Sequence, residues 1–282
     1  AFATSFEFLI ATRVFFGLGC GLVYPVVPTL ISYFFKGNER ASMMGGANAI
    51  GSIIAMVFST LSGTLAVIGW HYPFYVNIFF IFVLIMQLIF LPKVPPEKDL
   101  GYDKRIESLL PSERKINGRA WAGIALMFVS MTVSMVYLLK LALFVVEVGI
   151  GDSVLVGIAS SSTTCTALIM SILFSRVYKH LKRYTVVLSM AAVALSYTLL
   201  SLATSSLGLF AGCIVFGVYL GTLIPYLQTS ISGIVHPYRR TFALSWLSVA
   251  MFGGQACASL YVAVMESIVG SSTAALFEAM SI

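Results

Sequence analysis

Two cations lie inside apolar stretches of this 282-residue chain. Arg13 stands near the start of IATRVFFGLGCGLVYPVVPTL (residues 10–30), and Lys140 is embedded in MTVSMVYLLKLALFVVEVG (residues 131–149). A charged side chain at the centre of a bilayer costs about 2.5–3.5 kcal/mol on insertion scales, so one kept there faces protein, a watery cavity or the headgroups. Both positions are near enough to a helix end for the side chain to snorkel. The alternative is a charge on a central cavity, where Arg13 would meet an anionic substrate group or couple to proton movement. Lys140 would contribute to substrate binding or to ion coupling in the same way.

Three amides in apolar segments, Asn48, Gln228 and Gln255, are the next candidates, because a buried amide faces protein or water rather than lipid. Asn77, Tyr137, Thr163, Thr164, Tyr219, Tyr226 and Trp246 are softer ones; all of these uncharged residues read more readily as helix-to-helix glue than as substrate ligands, with Gln228 and Gln255 the better ligand candidates. Catalytic chemistry has no such footing. His71, His180 and His236 fall at segment ends and do not cluster. Cys20, Cys165, Cys213 and Cys257 lie in apolar segments with no CxxC spacing, so neither a metal site nor a disulfide framework is expected. Glu7, Glu147, Asp152 and Glu266 sit at segment edges, so no carboxylate pair stands at membrane depth. The chain reads as no enzyme, with no cofactor and no metal.

The elements that hold these residues follow from composition. Hydrophobic residues make up 59% of the chain and charged ones 10%, against about 25% charged in a soluble domain. Mean hydropathy is +0.96. The apolar runs are far longer than the roughly 10-residue alternating strands of a membrane barrel, so they predict an all-α polytopic membrane protein. The expected membrane helices are 8–35, 41–68, 72–92, 120–146, 153–175, 184–204, 207–235 and 241–265, with a ninth beginning near 272. All of the 17 Lys and Arg residues except Arg13 and Lys140 fall in every second gap between these spans. Positive residues collect on the cytoplasmic side, which places those gaps inside and residue 1 outside. The net charge of +6 therefore reports orientation in a cell membrane and does not point to nucleic acid. Residues 93–119, dense in charge and holding Pro95, Pro96 and Pro111, form a cytoplasmic linker with a short surface helix expected near 103–110.

An internal repeat appears at an offset of 200 residues. Gly17, Gly21, Pro25 and Arg40 match Gly217, Gly221, Pro225 and Arg240, and Phe16, Thr29, Ile31 and Ser32 match Phe216, Thr229, Ile231 and Ser232. The glycines and prolines are expected to pack and bend their helices. Arg40 and Arg240 read either as orientation charges or as side chains that bond or ion-pair with a helix C-terminus and hold an inward gate, and their matched placement favours the second. Small residues also recur along residues 47–63, at Ala47, Gly51, Ala55, Ser59 and Gly63, as close helix packing requires. Parallel repeats of this kind build transporter folds. With six helices per half, the three spans before the linker would be the fourth to sixth, and the chain would lack three helices at the front and most of the last.

The chain resembles the major facilitator superfamily of secondary transporters. LIATRVFFGLGCG (residues 9–21) is similar to that family's fourth-helix motif, with Phe16 in place of the usual Gln. KGNERASMMGG (36–46), GWHYPFYVN (69–77) and the basic FSRVYKHLKR (174–183) resemble its connections. Met56 stands where the exporters of the family carry a fifth-helix proline. The resemblance implies a two-bundle fold with residues 1–92 as the second half of an N-terminal bundle and 120–282 as the C-terminal bundle. It also implies alternating access with efflux of small amphipathic drugs or metabolites against proton entry, in a monomer embedded in lipid. Uptake or exchange of a small organic anion is the alternative, and a multi-pass receptor or channel is the reading outside transport. Membrane-impermeant labelling of the Asn38→Cys and Tyr238→Cys variants is expected to reach both from the same face of the membrane, and opposite faces would remove the parallel repeat.

Overall fold

The computed structural model describes residues 6–68, 72, 75, 78–90, 116–151, 153–269, 273, 277 and 278. Within them every long element is an α-helix: α1 (Phe6–Val23), α2 (Val26–Phe34), α3 (Gly37–Ile68), α4 (Phe79–Phe90), α5 (Gly118–Val148), α6 (Ser153–Leu181), α7 (Thr185–Ser201), α8 (Ser206–Ile234) and α9 (Arg240–Val269). Six stretches among the described residues are long and apolar enough to cross a membrane: 14–34, 37–58, 118–148, 155–201, 206–234 and 240–268. This is a multi-pass helical membrane protein.

The helix ends follow local chemistry. The Asn117 side chain caps α5 by accepting the Arg119 N–H at 3.4 Å. Gly149, with φ of 67°, closes the other end, its N–H reaching the Val145 and Val146 carbonyls. Ser205 caps α8. The 155–201 stretch is 47 residues, or about 70 Å of helix at 1.5 Å per residue, more than twice a bilayer core of about 30 Å. It is divided at Lys182–Tyr184 by a 3-10 turn in which Lys182 takes a φ of 45°.

Two expected elements differ. The span expected at 8–35 is two helices, because Pro25 has no N–H and its ring crowds the preceding turn. The helix ends at Val23 and restarts at Val26 with Pro25 as its N-cap residue. The span expected at 72–92 is described as 3-10 backbone at Tyr72, Tyr75 and Ile78 followed by α4. Thr273, Phe277 and Glu278 have helical backbone near the expected ninth start. Asn77 and residues 93–115, with the expected surface helix, lie outside the described residues.

By its contacts the chain divides into two compact units, Ala1–Leu22 with Ile53–Lys115, and Val23–Ser52 with Ile116–Ile282. Helix α2 and the first half of α3 thus group with the helices after the linker. In the first unit Phe58 packs edge-on against Phe79 and Phe80 at 5.2 and 5.8 Å. In the second, α8 packs along both α6 and α7, and α9 along α5. Its interior is aromatic. Phe216 stacks on Tyr137 at 4.0 Å and meets Tyr197 and Tyr219, while Phe277 meets Phe144 and Tyr197. The buried tyrosine hydroxyls have polar partners: Tyr137 Oη pairs with Thr163 Oγ1 at 2.7 Å beside Cys213 Sγ, and Tyr219 Oη pairs with Ser134 at 2.9 Å.

Lipid is as apolar as leucine, so helices in a bilayer gain little by burying leucines and associate through close van der Waals approach. Glycine supplies it here. A Cβ built on Gly217 or Gly221 would stand 2.5 Å from the Thr163 or Ala167 carbonyl oxygen of α6. One on Gly45 would stand 2.4 Å from the Ser171 oxygen, and one on Gly254 would stand 2.3 Å from that of Phe128 on α5. Built on Gly17, Gly21 or Gly51 it meets nothing within 4 Å among the described residues. Gly221→Ala and Gly254→Ala should therefore each destabilise the protein by about 1–3 kcal/mol through overpacking, while Gly51→Ala should not lower the melting temperature in detergent.

Candidate functional site

The two halves of the repeat meet through their matching residues. Helix α2 ends at Phe34, and its last carbonyls carry the partial negative charge of a helix C-terminus. The Arg240 Nη1 donates to one of them, Ser32 O, at 3.1 Å. The Arg40 Nε donates to Phe35 O at 3.1 Å, and its Nη1 donates to the Ser232 hydroxyl, in the last turn of α8, at 3.4 Å. Arg40 thus reaches the repeat mate of Ser32, and Arg240 reaches Ser32 itself. The supporting bonds repeat too: Ser32 Oγ donates to Thr29 O at 2.8 Å and Ser232 Oγ to Thr229 O at 2.9 Å. Arg40 is 5% exposed. Among the described residues neither guanidinium has a carboxylate partner, so both charges are held by neutral oxygens.

About two turns beyond Arg40 on α3 and about one turn before Ser232 on α8, two of the expected amide candidates hold each other. The Asn48 Nδ2 donates to Gln228 Oε1 at 3.1 Å and to its own helix at Met44 O, 2.8 Å. Gln228 is buried. The latch formed by Arg40, Arg240, Ser32 and Ser232 and the Asn48–Gln228 pair join α2 and α3 to α8 and α9.

The remaining candidates separate. Lys140 on α5 forms an ion pair with Glu266 on α9, with both side chains partly shielded. Nearby, Glu147 Oε2 accepts the Thr273 N–H at 3.0 Å. Arg13 lies on α1, and its side chain is outside the described residues. Gln255 is half-buried on α9. Pro25 breaks a helix, whereas Pro225 sits buried inside the continuous α8. Gly217 and Gly221 line the α8–α6 contact, while Gly17 and Gly21 have no neighbour at the Cβ position among the described residues. No group of three His, Cys, Asp or Glu side chains is placed to hold a metal among the described residues.

Sequence reasoning passed over Ser32 and Ser232 as functional residues, although the repeat had matched them. It also missed Glu266 as the partner of Lys140, since a carboxylate at a segment edge carries no sign of what it faces. Each amide of the Asn48–Gln228 pair is left unsatisfied when the other is removed. Asn48→Leu and Gln228→Leu are each expected to cost about 1–3 kcal/mol, and Asn48→Leu/Gln228→Leu less than the sum, in a double-mutant cycle on thermal unfolding.

Comparison with known proteins fits this arrangement. The family model described as Major Facilitator Superfamily matches residues 1–273. The chain is 31% identical over 110 residues to the MFS-type transporter pgmG of Aspergillus terreus, a match covering 38% of this chain and 20% of that protein. It is 32% identical over 91 residues to the lincomycin resistance protein LmrB of Bacillus subtilis (strain 168), covering 32% of this chain and 18% of that protein. The matched stretches thus span about a fifth of either relative's length.

Proposed function

The chain belongs to the Major Facilitator Superfamily, and we propose that it works as a secondary active transporter that exports small amphipathic molecules in exchange for protons. Both family and relatives point to a transporter rather than an enzyme. The observation that carries the mechanism is the reciprocal latch of Arg40 on Ser232 and Arg240 on Ser32. It ties the charge-rich end of one repeat copy to the charge-rich end of the other. In alternating access two bundles rock about a site near the midplane. A latch of guanidinium-to-oxygen bonds at one end holds that end shut, and its release opens it. Hydrogen bonds to a charged group are worth about 1.5–3 kcal/mol each, the range needed for a tie that holds yet can be broken in every cycle.

On this reading the chain crosses the cell membrane eight times, with residue 1 outside, the latch and linker 93–119 inside, and the two bundles divided at the linker. The substrate faces Asn48, Gln228 and Gln255 when the latch is open, Arg13 on α1 is a separate candidate for proton or anion coupling, and the working unit is a monomer in lipid. Export is supported by the relative named for lincomycin resistance. The ion pair bears on the choice between substrates. Glu266 neutralises Lys140, which removes one of the two cations that an organic-anion carrier would use. Lys140 and Glu266 together form a pair on which a proton could act as the coupling ion.

Proton movement across protein-containing vesicles tests the reading. Amphipathic drugs are expected to evoke proton flux that does not depend on any organic anion, and flux that requires an organic anion would overturn export. Arg40→Gln/Arg240→Gln is expected to lower the drug-evoked flux by about tenfold or more, since each lost bond shifts the closed state by at least a factor of ten. An unchanged rate would remove the latch from the mechanism. Lys140→Gln is expected to change the pH dependence of the flux, and an unaltered profile would remove it from coupling.

A further inference from the structure

We propose that a cavity beside the latch is a binding site for a phosphate-type anion, either the headgroup of an anionic lipid or free phosphate. The cavity measures about 550 Å³ and lies between the α2–α3 turn and the ends of α6 and α8. Lys179, Lys182 and Arg183 line it, with Tyr178, Tyr226 and Asn38 supplying further polar groups. Among the described residues no carboxylate lines it; Glu39, next to Asn38, is exposed and is not among its walls. The three cations are exposed and so can be reached by a ligand at headgroup level.

The wall behind them adds charge of the same sign. Gly233 lines the cavity, and the Arg40 Nη1 lies 3.7 Å from where a Cβ on Gly233 would stand. Arg240 is the other half of the latch, and the two guanidiniums repel each other. Donor capacity is left over at the latch: the Nε of Arg240 is buried and unpartnered among the described residues. Five cations thus gather at one end of the second unit, and among the described residues no counter-charge stands on the cavity wall. A multiply charged anion relieves that repulsion, and a guanidinium fork and ammonium groups are the donors that phosphate takes. Basic pockets between membrane helices at the cytoplasmic level bind lipid headgroups for this reason.

The backbone is consistent with a kept feature. Lys182 holds a left-handed φ of 45°, a conformation costly for a residue other than glycine, at the turn that carries both Lys182 and Arg183 to the cavity. A bound anion would join the turn bearing Gly37 and Asn38 to the ends of α6 and α8. It would thereby support the same helix ends that Arg40 and Arg240 hold. The proposal does not depend on which molecule the protein carries or in which direction.

The test compares the protein with Lys179→Gln/Lys182→Gln/Arg183→Gln. A control, Lys36→Gln/Arg119→Gln/Arg176→Gln, removes the same charge from exposed positions outside the cavity. Retention of phosphatidylglycerol against phosphatidylcholine is read by native mass spectrometry. In a second arm, inorganic phosphate is titrated against chloride at equal ionic strength, with the melting temperature as readout. At roughly a fivefold loss per cation near a headgroup, the cavity variant is expected to bind about a hundredfold more weakly, and the control within a few-fold of the unaltered protein. Lys179→Arg/Lys182→Arg keeps the charge and is expected to keep binding, so a loss seen only in the Gln variant is not a folding defect. Selective retention of phosphatidylglycerol identifies a lipid headgroup as the ligand, and stabilisation by phosphate alone identifies a soluble one. Absence of both overturns the proposal, as does an equal loss in cavity variant and control.

Discussion

Two guanidinium groups reach across the repeat, each to a helix end in the other copy. Neither meets a carboxylate among the described residues. A buried ion pair would hold these helices harder, but a cation held by carbonyl and hydroxyl oxygens is easier to release. The acceptors for Arg240 and for the Arg40 Nε are the last carbonyls of α2. Those carbonyls exist as acceptors because a helix C-terminus leaves them without intrahelical partners. Ser232 completes the set because its own proton is already given to Thr229 O, which leaves its oxygen free to accept from Arg40. The latch therefore rests on helix ends being where they are: α2 closes at Phe35, Gly37 takes a left-handed turn before α3 continues, and α8 closes at Val235.

The packing that keeps those ends in register uses no hydrophobic driving force between helices. Its work is done at glycines, where α8 touches the carbonyls of α6 and α9 touches that of Phe128. Each close approach also exposes a carbonyl to a neighbouring hydroxyl. Thr163 Oγ1 donates to Cys213 O across the α6–α8 contact at 3.1 Å, and Ser171 Oγ donates to Gly221 O at 3.4 Å. Thr132 Oγ1 does the same toward Gly254 O between α5 and α9 at 3.1 Å. In lipid such bonds have no water to compete with, so small residues and hydroxyls cooperate along one seam. The large exposed side chains on the other faces, such as Leu207 and Leu260, then suit contact with lipid tails.

At the other end of α5 and α9 the Lys140–Glu266 pair gives a different kind of tie, between full charges. The two ends are thus built unlike each other. One end gathers cations beside an open basic cavity, and the other joins a lysine to a glutamate.

Composition and run length by themselves determined that this chain is helical and crosses a membrane, because both follow from what lipid accepts as solvent. The positions of Lys and Arg showed the asymmetry between gaps, and self-comparison showed which residues are repeated, since each of these is a property of the chain read in order. Pairing was decided elsewhere. Asn48 and Gln228 lie 180 residues apart, Arg40 and Ser232 lie 192 apart, and Lys140 and Glu266 lie 126 apart. No local pattern states which helix faces which. Pro25 and Pro225 show the same limit at short range: matched in sequence, one ends a helix and the other lies buried within one. A proline's lost hydrogen bond breaks a helix unless neighbouring helices hold it in place. α8 is held along its length between α6 and α7, while α2 has only slight contacts with α8 and α9.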